Sequence, residues 1–171
     1  KEQATPALFI NSDINDMPIA DSVVDKVMVS AVYLHNHKSI VAQAVTEAKR
    51  VLKPGGKILV YSSFPCSHNL MGLQGHLYQA LLNLLGKPFK NGPVRYYNKK
   101  EVAKLFADFS ELEIIPVGYE VIPKSLIFLP SFIDTGWRIL IAKPLNKILE
   151  AITPTFLKPH LAIHYDVVAT K

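Results

Sequence analysis

The sequence predicts one α/β domain: a three-layer sandwich around a mostly parallel sheet, incomplete at its N-terminal side. Three observations predict it. Two apolar runs, Val27–Val32 and Lys57–Ser62, flank a single amphipathic helical segment. That segment stops at Lys53-Pro54-Gly55-Gly56, where Pro cannot extend a helix and the glycines allow a tight turn. Asp13 follows a further apolar run and so stands at a strand's carboxyl end, where open α/β sheets place their ligands. Strand, helix and strand in this order make a parallel crossover unit of right-handed sense.

The elements can be justified in order. Ala7-Leu8-Phe9-Ile10 before polar Asn11-Ser12-Asp13 reads as a buried strand and a loop. Asp21-Ser22 marks a turn. Val27–Val32 is nearly continuous in apolar residues, as a strand covered on both faces requires. Ile40, Val41, Ala44, Val45, Ala48, Val51 and Leu52 recur at three- and four-residue spacing and form one helical stripe. Lys49, Arg50 and Lys53 suit its carboxyl end. Leu70–Leu85 reads as a second helix closed by Gly86 and Pro88, and Asn98 with Glu101 reads as a capping box opening a third. Leu112–Tyr119 and Leu161–Ala169 are the last strand candidates. Between them, residues 123–160 are apolar, aromatic and broken by proline, with short helices expected at Thr135–Ile141 and Leu145–Ile152. This stretch is an insertion within a single domain spanning residues 1–171.

Composition excludes several classes. The 171 residues are 49% hydrophobic and 19% charged, which is globular and not disordered. The net charge of +5 is scattered, so no nucleic-acid footprint is expected. Cys66 is the one cysteine, and neither it nor His68 nor the His35/His37 pair has a zinc-site spacing, so no metal is expected. A lone cysteine suits a reducing compartment, the cytoplasm. No signal peptide is visible, and no apolar run reaches the ~20 residues of a membrane span. The chain opens on Lys1 and not Met, as a processed chain or a part of a longer protein would.

Several motifs then line up with one family. Asn11-Ser12-Asp13-Ile14-Asn15-Asp16-Met17-Pro18-Ile19, followed by Asp21-Ser22-Val23-Val24-Asp25, resembles the D-x-x-L-P-F and D-x-S-F-D signature of class I S-adenosylmethionine-dependent methyltransferases. Leu34-His35 resembles their L-x-H element, and Arg50-Val51-Leu52-Lys53-Pro54-Gly55-Gly56 their R-V-L-K-P-G-G element. Arg95-Tyr96-Tyr97 and the closing His164–Lys171 strand look like the same family's tail. The resemblance implies a Rossmann-like fold and S-adenosylmethionine as cofactor. It also implies that Asp13 accepts from the adenine amino group, the Ile14 amide meets an adenine ring nitrogen, and Ser30, Ala31 and Val32 border the methionine part.

The family's glycine-rich loop and its ribose-binding acid have no counterpart here. Gly72-x-x-Gly75 lies inside a helix candidate and does not replace that loop. The expectation is therefore a piece of a longer enzyme, binding the cofactor poorly on its own, with an unpaired apolar edge along Val27–Val32. Two other outcomes are a pairing with another copy across that edge and a non-catalytic, methyltransferase-like interaction module. A nucleotide-binding oxidoreductase fits the Lys53–Gly56 context less well.

Methyl transfer from a sulfonium is an in-line displacement, so a base is needed only if the acceptor must lose a proton. His35 is the first candidate for that base and Tyr33 for the acceptor side, with Tyr96, Tyr97 and His164 behind them. Phe128, Phe132, Trp137 and Phe156 suggest a lipophilic small-molecule acceptor. The basic, proline-broken surface is also suited to peripheral contact with an anionic membrane.

Overall fold

The computed structural model describes residues 9–87, 94–119, 122 and 131–171. The elements are β1 (Val24–Ser30), α1 (Lys38–Val51), β2 (Leu52–Pro65), α2 (Leu70–Leu84), α3 (Lys99–Leu105), β3 (Glu111–Tyr119), α4 (Ser131–Gly136), α5 (Lys143–Ile152) and β4 (Ala162–Thr170). A 3-10 turn at Tyr33–His35 joins β1 to α1, and a π-helical stretch, Trp137–Ala142, runs α4 into α5.

The four strands form one sheet in the order β1-β2-β4-β3. β1 and β2 pair in parallel, with Val27 opposite Ile58 and Val29 opposite Val60. β4 is antiparallel to both its neighbours. Three strands therefore point one way, yet two of the three pairings are antiparallel, so "mostly parallel" holds for direction and not for pairing. The reason is that β4 inserts between two strands that precede it.

The expected crossover unit is present. Val41, Ala44, Val45, Ala48 and Val51 form the buried stripe of α1, and His37 caps its start by accepting from the Ser39 amide. The Lys53–Gly56 turn is built as a large bulge in β2: Leu52 pairs with Val24 and Lys57 with Lys26, so four residues face one. Gly55 takes φ +75°, and its amide donates to the Lys171 carbonyl at 3.0 Å. The capping box of α3 is complete, with the Glu101 amide donating to Asn98 Oδ1 and the Asn98 amide to Glu101 Oε2, each at 2.9 Å.

One face of the sheet carries the core. Ile58, Val60, Val167 and Ala169 meet α1 together with Val102 and Phe106 of the α3 region. Phe64 sits at its centre, with ring centroids 5.7 Å from Tyr33, 5.0 Å from Tyr97 and 6.1 Å from Phe106. Burying each such side chain contributes roughly 1.5–3 kcal/mol. The other face, on which Met28, Tyr61 and Ile115 lie, is exposed at all three residues. Leu59 and Val168, also on that face, are half-buried, and the open sheet is of the Rossmann-like α/β class expected from the sequence. Among the described residues β1 has no second neighbour, and Met28 is 70% exposed.

Other expectations are corrected. Phe9 and Ile10 form no strand and are exposed, because no described strand lies beside β1 to pair with them; Ala7 and Leu8 fall outside the described residues. The first parallel strand ends at Ser30, not Val32, because Ala31 turns to φ +52°. The two short helices expected between β3 and β4 are one continuous run from Ser131 to Ile152. Residues 123–130 of the expected insertion, Phe128 included, lie outside the described residues.

Candidate functional site

The Asp13–Met17 loop rests on α1. The Met17 amide donates to Glu47 Oε1 at 2.8 Å, and Arg50 Nη2 donates to the Met17 carbonyl at 3.0 Å. Arg50 also grips Glu47 through Nε and Nη2 at 2.8 and 2.7 Å and pairs with Asp21. This bidentate guanidinium holds the Glu47 carboxyl down to about 2. The loop is thus fixed by charge-assisted bonds, and it delivers Asp13 to the surface with a free carboxylate edge.

Beside it lies a small apolar groove of about 180 Å³, lined in part by Ile14, Met17, Val27, Val29 and Val32. Two of the residues that the sequence assigns to the cofactor, Ile14 and Val32, meet here. Asp13, Ser30 and Ala31 are exposed next to them in the chain. The resemblance puts the adenine end of S-adenosylmethionine here; Asp13 is exposed next to Ile14 in the chain, and its carboxylate can only accept.

The strand end is tied to β2. Ala31, a non-glycine residue at positive φ, donates its amide to the Tyr61 carbonyl at 3.1 Å. The Val32 amide donates to Ser63 Oγ at 3.2 Å, and that hydroxyl donates to the Tyr61 carbonyl at 3.1 Å. Strained, over-determined backbone of this kind concentrates at functional sites.

Between those two anchors, Ser62 also takes positive φ, at 51°. Here Tyr61, Ser62 and Ser63 oppose the single residue Asp166, because Val60 pairs with Val167 and Phe64 with Tyr165. The ladder is broken, and the Ser62 amide donates instead to Asp166 Oδ1 at 3.0 Å. The same carboxylate oxygen stands 3.3 Å from His164 Nε2. Asp166 therefore orients both a strained backbone and an imidazole.

Ser62 and His164 line a cavity of about 310 Å³ between β2, α2 and the start of β4. Its wall is largely apolar, with Pro65, Cys66, Val94 and Tyr96 among the lining residues. Burial pushes the Cys66 thiol up to about 11 and raises the Tyr96 phenol, so both are neutral at pH 7. Asn69 holds the cavity together: its Nδ2 donates to the Ala162 carbonyl and its Oδ1 accepts from the Gly72 amide, each at 2.6 Å. A side-chain carbon at Gly72 would strike the Cys66 carbonyl, and one at Gly75 the Tyr96 ring. These glycines are close-packing positions that let α2 approach the strand end.

Of the acceptor-side candidates, His35 is exposed in the 3-10 turn, and nothing brings it to this cavity. Tyr33 and Tyr97 are core residues packed around Phe64 and do not line this cavity, although Tyr33 borders the groove beside Ile14 and Val32. His164 and Tyr96 are the candidates that line the cavity. Ser62 and Asp166 had no sequence signal, because the bulge that joins them depends on a strand 100 residues further on. Among the described residues no cluster of His, Cys, Asp and Glu could hold a metal ion.

Residues 1–60 match the family model described as "Methyltransferase domain". The sequence matches none of the curated proteins. Three solved structures share the fold. A SAM-dependent methyltransferase of Thermotoga maritima, described as a possible histamine N-methyltransferase, is 17% identical with a TM-score of 0.54, over 92% of this chain and 61% of that one. One of Archaeoglobus fulgidus is 13% identical with a TM-score of 0.55, over 95% and 66%. One of Methanosarcina mazei is 11% identical with a TM-score of 0.53, over 94% and 65%. The chain spans less than two thirds of each of those chains. Residues 1–60 thus match a methyltransferase family model, and the chain shares its fold with S-adenosylmethionine-dependent methyltransferases.

Proposed function

We propose that the protein carrying this chain transfers a methyl group from S-adenosylmethionine to a small, mostly apolar acceptor seated in the cavity between β2, α2 and β4. The observation that carries this reading is continuity. Tyr61 and Ser63 hold the Ala31–Val32 loop of the cofactor side, and Ser62 between them lines the cavity. The cofactor supplies an electrophilic methyl carbon when bound. Asp13 and the Ile14 amide would hold its adenine, and Ser30, Ala31 and Val32 its methionine end. The cavity strips water from the acceptor and presents it along one direction.

His164 takes the acceptor's proton in this reading. Asp166 stands at Nε2, so Nδ1, which has no partner among the described residues, is the nitrogen left to accept. His164 replaces His35 as the base because it lines the cavity. The single buried Cys66 supports a reducing compartment, the cytoplasm, as the place of action.

Calorimetric titration with S-adenosylmethionine tests the reading. Binding is expected in the protein that carries this chain, and Asp13→Ala should weaken it by about 1–3 kcal/mol, the scale of a hydrogen bond to a charged group. His164→Gln should leave that affinity intact and remove methyl transfer to simple phenols. Absence of binding would sink the enzyme reading. It would favour a second one, a non-catalytic module that pairs through the open β1 edge, where Met28 stands exposed.

A further inference from the structure

We propose that α2 and α5 seat the protein on an anionic lipid surface. Both helices are inverted relative to an ordinary surface helix. Among the described side-chain positions of α2, Gly72 and Gly75 are buried, whereas Leu73, Leu77, Leu81 and Leu84 are exposed, Leu84 at 83%. Spacings of three and four residues put these leucines on one face. On α5 the buried residue is polar Asn146, whose Nδ2 donates to the Ile122 carbonyl at 2.7 Å and whose Oδ1 accepts from the Ile122 amide at 3.0 Å. Ile148 and Ile152, the latter 70% exposed, face outward together with Leu145.

An ordinary surface helix turns its polar side to water. Here a small or polar residue of each helix, Gly72 and Gly75 or Asn146, makes the buried contact, and apolar side chains are left exposed. Exposed apolar side chains gathered on one helix face mark interaction surfaces. Among the described residues no helix is long and apolar enough to cross a bilayer. The 15 residues of α2 reach about 22 Å at 1.5 Å per residue, against a hydrocarbon core of ~30 Å. Lying in the interface is what remains.

Charge decides for lipid over a second copy of the chain. No Asp or Glu occurs between Glu47 and Glu101, a stretch that contains all of α2. Lys87 follows α2, and Lys143 and Lys147 flank the apolar stripe of α5, with Glu150 its one acid. Two copies meeting through these faces would set cation against cation. Anionic headgroups complement them, at a scale of about fivefold in partition for each Lys or Arg near the surface.

Co-sedimentation with extruded vesicles tests this. The protein should pellet with phosphatidylcholine vesicles containing about one third phosphatidylglycerol, pellet far less with phosphatidylcholine alone, and be released toward ~1 M salt. The paired substitutions Leu77→Glu with Leu81→Glu, and Ile148→Glu with Ile152→Glu, should each lower partition by at least about tenfold. They should leave the circular dichroism melt unchanged, because all four side chains are exposed. Lys147→Glu should cost about fivefold or more at low salt only. The proposal fails if the wild-type protein stays in the supernatant or the variants pellet equally well. It also fails if lipid-free ultracentrifugation shows a dimer that the same variants abolish. None of these residues is assigned to the cofactor or the cavity, so S-adenosylmethionine titration reports on the proposed activity separately.

Discussion

The covered side of the sheet and the α2–α5 surface use the same residue types to opposite ends. In the first, Val, Ile and Phe from α1, β2, α3 and β4 converge on Phe64, and every apolar stripe finds a partner stripe. In the second, Leu and Ile stripes of equal regularity point outward, while glycine and asparagine make the internal contacts. A helical period therefore shows that a face is apolar without showing what meets it. The first region spends its apolar surface on stability. The second leaves it available.

Substitutions can break that contrast or sharpen it. The largest effect is expected at Phe64→Ala, which removes the ring stacked among Tyr33, Tyr97 and Phe106 and should cost about 3–5 kcal/mol in urea unfolding. A loss below about 1 kcal/mol would mean the core is not centred there. Next is Gly72→Ala, at about 1–3 kcal/mol, because the added carbon meets the Cys66 backbone and not a movable side chain. Differential scanning calorimetry would show it as a lowered Tm.

Glu47→Ala follows, at roughly 1–2 kcal/mol after allowance for partial solvent screening, since it frees both Arg50 and the Met17 amide. The pH dependence has a definite sign. The folded-state carboxyl titrates near 2, below its ordinary value of 4.5, so its contribution is complete above the ordinary value and is lost as pH falls toward 2. Amide exchange in residues 13–17 should accelerate over that window in the wild-type protein and not in Glu47→Ala. The smallest effect is expected at Leu73→Gln, beside Gly72 on the same helix. An exposed position there should change stability by less than about 0.5 kcal/mol by urea unfolding. A larger loss would show that the α2 stripe is core after all.

The local part of this fold is legible in the sequence. The α1 stripe, the α3 capping box and the Lys53–Gly56 reversal each depend on residues a few positions apart, and each forms where its pattern stands. Long-range features are not legible in that way. Nothing in Ala162–Thr170 states that the strand inserts antiparallel between β2 and β3, and so nothing states that Asp166 will meet Ser62. Nor does the Tyr33-Leu34-His35 pattern state that the Tyr33 ring packs on Phe64. The adenine-side residues were placed by resemblance, and the loop that carries them is held by Glu47 and Arg50, two helix positions that the α1 pattern leaves looking like plain solvent-facing charges.

The position of β4 also governs how the molecule can assemble. In order of synthesis it comes after both of the strands it joins, and β2 and β3 share no ladder without it. A nascent chain can form β1, α1 and β2 locally, but the α3–β3 unit has nothing to pair with until residues 162–170 emerge. During that interval the edges of β2 and β3 are open to wrong partners, and long-range pairing of this kind is slow. Damage to β4, even far from the cavity, would therefore be felt first as lost yield of folded protein.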